Sequence, residues 1–164
     1  MNAAELLAAM RTVEQDHHLV LERMQALVET VACLTDPADL DAEQVFGRLL
    51  ELDNYFRTQF GAHMGEEEQT LFPLLERFSP DGAVLANRLR EEHSALRRQL
   101  DAFNRCLGTA VQLQDRPPRA VLRDLLIEGW ELWELLDKHA RQETRAIHGC
   151  LDRQLPGGKT SRSS

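Results

Sequence analysis

Apolar residues recur at alternating spacings of three and four along four long segments of the chain. These segments are residues 3–34, 42–78, 80–112 and 120–154. A stripe with this spacing lies on one face of an α-helix, and it is typical of helices that pack against each other at a shallow angle. Because the connections between the segments are short, the sequence predicts an all-α fold, an up-down-up-down four-helix bundle.

Capping and turn-forming residues mark the ends of the predicted helices. Asp41 suits the N-cap of the second helix, with Gln44 three residues later as its capping-box partner. Pro80 suits the first position of the third helix, and Pro73 is expected to kink or open the last turns of the second. We therefore expect one domain over residues 1–155 and a disordered tail over 156–164, where the sequence is PGGKTSRSS.

Histidine and glutamate replace apolar residues at several positions of the stripes. His63 and Glu67 are four residues apart in the second helix, and His139 and Glu143 repeat that spacing in the fourth. Residues four apart lie on one helix face, a turn apart. A buried carboxylate is costly unless a metal, a cation or a hydrogen-bond network accompanies it. The other two stripes each contain one histidine, His17 in the first and His93 in the third.

These six residues are predicted to meet at one level of the bundle. Residues equally far from a shared connection lie at the same height, and His17 and His63 are about 19 and 22 residues from the first connection. Glu67 and His93 are each about 12 residues from the second connection. Counting from the third connection places His139 beside His93. The remaining histidines are predicted to be on the surface: His18 and His148.

The chemistry of this layer indicates metal ions. Imidazole and carboxylate groups without thiolate favour iron, manganese or zinc, and six ligands exceed the four of a tetrahedral zinc site, so two ions are indicated. If Glu67 and Glu143 both bridge the ions together with a solvent-derived oxygen, two coordination positions stay open for a small ligand. The alternative interpretation is a polar layer satisfied by His–Glu hydrogen bonds without a metal.

Composition and charge narrow the location and the partners. The 164 residues are 43% hydrophobic and 28% charged, as in ordinary globular proteins. The net charge of −8 disfavours nucleic acid and anionic membranes, because both attract basic surfaces. No membrane span or signal peptide is recognisable, so we expect a cytoplasmic protein. The three cysteines form no CxxC pair and are expected to be small buried or half-buried thiols: Cys33, Cys106 and Cys150.

Four motifs follow one another along the chain: Asp16-His17 with Val20 and Ala26-Leu27, YFRTQFGAHMGEEEQTLFP, Glu91-Glu92-His93 with Arg97, and His139-xxx-Glu143. Together they resemble the hemerythrin-like, or HHE cation-binding, family of four-helix di-iron proteins. The resemblance covers almost the whole chain, to about Leu155. It implies two iron ions joined by an oxo or hydroxo bridge, and metal ligands at His17, His63, Glu67, His93, His139 and Glu143.

One position departs from the family pattern. Oxygen-carrying members have a second histidine one turn after the histidine of the third helix, where this chain has Arg97. One imidazole fewer opens a coordination position, which disfavours reversible oxygen carriage and favours redox turnover or sensing. Arg97 either approaches a bound anion or extends to the surface. Gln59, one turn before His63, either contacts the ligands or lines the helix face.

Three functions are compatible with such a site. The one we favour is the binding or sensing of dioxygen or another small oxidant, because the sequence shows no electron-entry partner. The alternatives are a di-iron oxidoreductase acting on peroxide, oxygen or nitric oxide with an external electron donor, and iron storage or buffering. No nucleophile triad, phosphate loop or organic-substrate pocket is recognisable, so no catalytic residue is assigned and enzymatic activity stays open.

Overall fold

The computed structural model describes the backbone at residues 3–35, 41–113 and 117–154 and the side chains at 18–34, 41–77, 79–113 and 117–149. Within these ranges the regular structure is helical and contains no strand. A 3₁₀ turn, Cys33–Thr35, follows the first helix, and a π-helix, Phe56–Phe60, joins the second to the third. The α-helices are α1 (Ala3–Ala32), α2 (Ala42–Tyr55), α3 (Gly61–Gln69), α4 (Leu71–Phe78), α5 (Gly82–Gln112) and α6 (Arg119–Gln154).

The helices form four rods that pack side by side. The second rod consists of α2, the π-helix, α3 and α4, and the other three rods are α1, α5 and α6. The first rod packs against α2 and α6, while α5 packs against α6 and against the second rod. Neighbours in sequence are therefore neighbours in space, which confirms the predicted all-α four-helix bundle. The predicted tail at 156–164 lies outside the described residues.

Two hydrophobic clusters fill the interior. The larger one joins α1, α2, α5 and α6, and its fully buried members include Leu27, Leu49, Phe103 and Leu125. The smaller one is formed by α4, the start of α5 and the end of α6, with members such as Leu71, Phe72, Leu75, Leu89 and Ile147. Burying one such side chain contributes about 1.5–3 kcal/mol. The histidines and glutamates that replace apolar residues in the stripes of α3, α5 and α6 lie between these two clusters.

The second rod is interrupted twice. The π-helix Phe56–Phe60 places one extra residue in a turn just before His63. The second interruption is at Thr70, between α3 and α4, where the backbone departs from regular helical geometry with φ −118° and ψ −58°. Pro73, three residues later, has no N–H to offer the carbonyl of Gln69, and its ring crowds that carbonyl. The predicted opening near Pro73 is confirmed, whereas the π-helix was not predicted.

The helix starts follow local hydrogen bonding and close approach. Asp41 Oδ1 accepts a hydrogen bond from the Gln44 amide at 3.1 Å, which confirms the predicted N-cap of α2. The predicted start of α5 at Pro80 was wrong by two residues, because Pro80 lies in a turn and the helix begins at Gly82. Here α5 crosses the end of α4 so closely that a Cβ at Gly82 would overlap the Leu75 carbonyl group.

Surface features complete the fold. His18 and His148 are exposed, as predicted. Cys106 is partly buried, as predicted, but Cys33 in the 3₁₀ turn is exposed, so the expectation that it is buried or half-buried was wrong. The side chain of Cys150 lies outside the described residues. None of the helices in the described ranges has the length and apolar character needed to cross a membrane.

Candidate metal centre

Five of the six predicted ligands converge in the layer between the two hydrophobic clusters. The second rod contributes two of them from α3, α5 contributes one and α6 contributes two. His17 belongs to α1, but its side chain lies outside the described residues, so its place in the centre stays a prediction. The five that meet are His63, Glu67, His93, His139 and Glu143.

The five side chains form two overlapping triads that share Glu67. One triad is Glu67, His93 and His139, and the other is His63, Glu67 and Glu143. Within each triad, one ligand atom per residue lies within 4.8 Å of the others, which is close enough for one ion to be held between them. Helical spacing explains the pairing, because His63–Glu67 and His139–Glu143 are each one turn apart.

The two oxygens of Glu67 face different histidines. Glu67 Oε1 lies 2.6 Å from His63 Nε2, and Glu67 Oε2 lies 3.3 Å from His93 Nε2. On the far side, His93 Nε2 and His139 Nε2 are 3.1 Å apart. His139 Nε2 is in turn 3.8 Å from Glu143 Oε2. The five side chains therefore form a continuous chain of donor atoms, in which Glu67 connects His63 with His93.

The centre is buried, and burial changes the ionisation of its carboxyl groups. The side chain of His63 is 10% exposed, whereas those of His93 and Glu143 are 0% exposed. Burial raises the pKa of Glu67 to about 8, a hydrogen bond with His93 opposes that rise, and the neighbouring Glu143 carboxyl adds to it. Two carboxyl groups held this close in an apolar interior favour a bound cation.

An outer carboxylate contacts the second ring nitrogen of His93. His93 Nδ1 lies 2.8 Å from Glu68 Oε1, and the same oxygen accepts a hydrogen bond from Arg97 Nη2 at 2.9 Å. Burial raises the pKa of Glu68, but the hydrogen bonds from His93 and Arg97 outweigh burial and leave that pKa below its usual value. The Arg97 side chain is exposed and contacts Glu68. Of its two predicted placements, near a bound anion or at the surface, the structure favours the surface.

A second outer carboxylate contacts His139 in the same way. His139 Nδ1 lies 3.2 Å from Glu92 Oε2, and Arg88 Nε lies 3.5 Å from the other oxygen of Glu92. No contact of Glu68 or Glu92 with a ligand was predicted from the sequence, although both residues lie within its motifs. The sequence signal that could have identified them is their position, because each of these glutamates is next to a predicted ligand.

Aromatic rings and a small cleft surround the histidines. Phe72 packs on the His93 ring, with centroids 5.1 Å apart, and Phe60 packs on the His63 ring at 6.0 Å. A cleft of 150 Å³ reaches His63 from the surface. Gln59 is exposed and lines this cleft, so the structure favours a place on the access path for Gln59 over direct contact with the ligands.

The donor set fits transition-metal ions. Both triads combine imidazole nitrogen with carboxylate oxygen and contain no thiolate, which suits iron, manganese or zinc. The shared carboxylate is typical of a centre with two ions side by side.

Comparison with known proteins agrees with this donor set. A family model, described as the hemerythrin HHE cation binding domain, matches residues 8–151. Searches among curated proteins and among solved structures found no significant match. The matched range contains all six predicted ligands and both outer carboxylates.

Proposed function

The chain belongs to the hemerythrin HHE cation-binding domain family, and on that premise we propose that it is a non-haem di-iron protein that binds or senses dioxygen or another small oxidant. As a member of the family it is a cation-binding helical protein. The observation that supports two ions is the position of Glu67, whose two oxygens face different histidines and which belongs to both triads.

The proposed ligands divide between two ions. His93 and His139 would hold one ion together with Glu67, and His63 would hold the other together with Glu67 and Glu143. His17 would complete the second ion from α1. In full, the proposed set is His17, His63, Glu67, His93, His139 and Glu143. Iron held by this set would supply redox-active, Lewis-acidic positions that bind a small oxidant.

The surrounding residues limit what reaches the centre. The cleft at His63 has a volume of 150 Å³, below the roughly 300–1,000 Å³ of pockets for drug-sized organic ligands, and it leaves room for a diatomic molecule or peroxide. Leu19, Val20 and Phe60 form its apolar lining, and Gln59 lies at its polar side. The buried rings of His93 and His139 are closed off from water on their side of the centre. A small ligand would therefore approach from His63.

The test is the response of the iron-loaded protein to oxygen. Metal-free protein is loaded with Fe²⁺ without oxygen, air is admitted and then removed, and the visible spectrum is followed. Charge-transfer bands that appear in air and disappear when it is removed are the expected result. Irreversible oxidation, with consumption of many equivalents of peroxide or nitric oxide when an electron donor is supplied, would favour the oxidoreductase alternative. Uptake of far more than two irons per chain would favour storage.

A further inference from the structure

We propose that Glu68 and Glu92 are positioning residues that orient the rings of His93 and His139, through their Nδ1 atoms, so that both Nε2 atoms face the metal centre. This inference rests on the proposed metal binding. It assigns a role to two acidic residues that lie within the sequence motifs but do not belong to the proposed metal ligand set.

The contacts of His93 define the orientation of its ring. Its Nδ1 lies 2.8 Å from Glu68 Oε1, and its Nε2 lies 3.3 Å from Glu67 Oε2. An ionised carboxylate only accepts hydrogen bonds, so Glu68 fixes the ring proton on Nδ1. The lone pair of Nε2 is then directed at the centre, as a metal ligand requires.

His139 repeats this arrangement one helix further on. Its Nδ1 lies 3.2 Å from Glu92 Oε2, while its Nε2 lies 3.1 Å from His93 Nε2. Without a restraint on Nδ1, either ring would be free to flip and to turn its other nitrogen towards the centre. Glu68 and Glu92 therefore hold the two neighbouring rings in the same orientation, with Nδ1 towards the carboxylate and Nε2 towards the centre.

The two carboxylates connect the helices in sequence around the bundle. Glu68 extends from α3 to a histidine of α5, and Glu92 extends from α5 to a histidine of α6. Each is adjacent in sequence to a proposed ligand, Glu67 or His93. Successive helical residues are rotated by about 100°, so one residue of each pair faces the centre and its neighbour faces the next helix. Both α3 and α5 thereby provide a proposed ligand and also support a proposed ligand of the neighbouring helix.

Arginines at the surface restrain both carboxylates. Arg97 Nη2 is 2.9 Å from Glu68 Oε1, and Arg88 Nε is 3.5 Å from Glu92 Oε1. Exposed ion pairs contribute little stability by themselves, since solvent screens them. Their effect here is to limit the rotamers of the two carboxylates that hold the rings.

The first test measures the affinity of the metal-free full chain for Co²⁺ by competition with a chelator. Loss of a carboxylate that holds a ligating histidine typically weakens metal binding 10–100-fold, so we expect about that loss in Glu68→Ala and in Glu92→Ala. Glu68→Gln and Glu92→Gln should recover part of it, because the amide oxygen still accepts from Nδ1–H. Glu91→Ala is the matched control: Glu91 is exposed and adjacent to Glu92, and its removal should leave the affinity unchanged.

The second readout is specific to ring orientation. In Co²⁺-loaded protein, the ring N–H protons of metal-bound histidines give shifted NMR signals. Glu68→Ala should remove one of these signals by fast exchange with water, and Glu92→Ala should remove a different one. A purely structural effect would lower thermal stability without this selectivity.

The outcomes separate the positioning role from the metal site. Alanine variants that bind Co²⁺ as tightly as wild type and keep all ring N–H signals would overturn the positioning role alone. A wild type that binds no Co²⁺ would overturn the proposed function and the positioning role together. Circular dichroism of the two glutamine variants verifies that the affinities are compared between folded proteins.

Discussion

Glu67 is the residue on which the proposed centre depends most. It is buried, its two oxygens face two different histidines, and burial raises its pKa to about 8. A carboxyl group with so high a pKa keeps its proton in the metal-free protein at neutral pH and gives it up when a cation binds. Metal binding and proton release are therefore coupled at this residue.

The pH dependence of the metal-free protein follows from this pKa. In the unfolded chain Glu67 ionises near its ordinary value of 4.5, but in the folded protein only near 8. Between these values the folded state binds the additional proton, so the free energy of unfolding falls as pH rises, by at most about 1.4 kcal/mol per pH unit. The stabilisation is complete below the lower value and is lost as pH passes through the upper one.

Urea denaturation of metal-free wild type and Glu67→Gln, between about pH 5 and pH 8, measures this effect. Stability should fall with pH in wild type, and the fall should be smaller in the variant. Burial also raises the pKa of Asp53, and this contributes a fall in the same direction above the ordinary value of 3.8 in both proteins. Equal slopes in the two proteins would show that Glu67 is not the group responsible.

Removal of His63 should remove metal. His63→Ala deletes the proposed ligand nearest the cleft, and we expect fewer than two irons per chain after anaerobic loading. His148→Ala is the matched control, because His148 is an exposed histidine on α6. Elemental analysis measures the iron content of both variants. Two irons retained in His63→Ala would contradict the assignment of His63 as a ligand.

At the residue scale, the sequence predicted the ligand layer better than its surroundings. Stripe position and distance from each connection were enough to bring His63, Glu67, His93, His139 and Glu143 to one level, because helix rise is constant. Contacts beyond the stripe depend on how each helix is rotated against its neighbour. That rotation is set by packing, so the partners of His93 and His139 were not predictable from spacing alone.

Among the elements, the π-helix distinguishes the structure from the predicted regular helix. It directly precedes α3, in which His63 is partly buried and Met64 is fully buried. An extra residue within one turn leaves the stripes on either side nearly intact. A stripe analysis therefore interprets FRTQF as ordinary α-helix.

Deleting Thr58 should convert this turn to regular α-helix. The exposed side chain of Thr58 lies inside the π segment, so one residue fewer removes the bulge without changing the faces of α2 and α3. We expect circular dichroism and iron content close to those of wild type. Deleting Gly65 is the matched control, because it breaks the four-residue spacing of His63 and Glu67 and should abolish metal binding. Loss of iron in both deletions would contradict this description of the π segment.

Gly129 lies at a close contact between α1 and α6. A Cβ at this position would lie 2.9 Å from Val31 Cγ2 and 3.5 Å from Phe103 Cε2. Because valine is stiff at χ1, Gly129→Ala should destabilise the protein, by about 1–3 kcal/mol as for other overpacked cores. Combining it with Val31→Ala should cost less than the sum of the two single changes. Strict additivity in thermal or urea denaturation would show that the contact is not limiting.

For the whole molecule, the proposed centre connects the second rod with α5 and α6 between two hydrophobic clusters. A ligand that binds only the folded state stabilises it in proportion to the logarithm of its concentration. The thermal midpoint should therefore rise with Fe²⁺ or Co²⁺ in wild type and should not change in Glu67→Ala. An equal rise in both proteins would indicate metal binding away from the centre.

The overall fold was predictable because three levels of the sequence agree. Helical stripes, short connections and capping residues such as Asp41 all favour the same bundle, and the structure confirms it. Two details differ from the prediction. The start of α5 is shifted from Pro80 to Gly82, where α5 closely approaches α4, and the segment Phe56–Phe60 contains an inserted residue. The place of His17 and the tail at 156–164 stay predictions.

The most direct test of the central claim is the number of iron ions per chain. Metal-free wild type is loaded with Fe²⁺ without oxygen, freed of excess metal and analysed together with Glu67→Ala. If the two triads share Glu67 as proposed, wild type retains two irons per chain and the variant retains fewer. One iron or none in wild type, or two irons in Glu67→Ala, would contradict a di-iron centre bridged by this carboxylate.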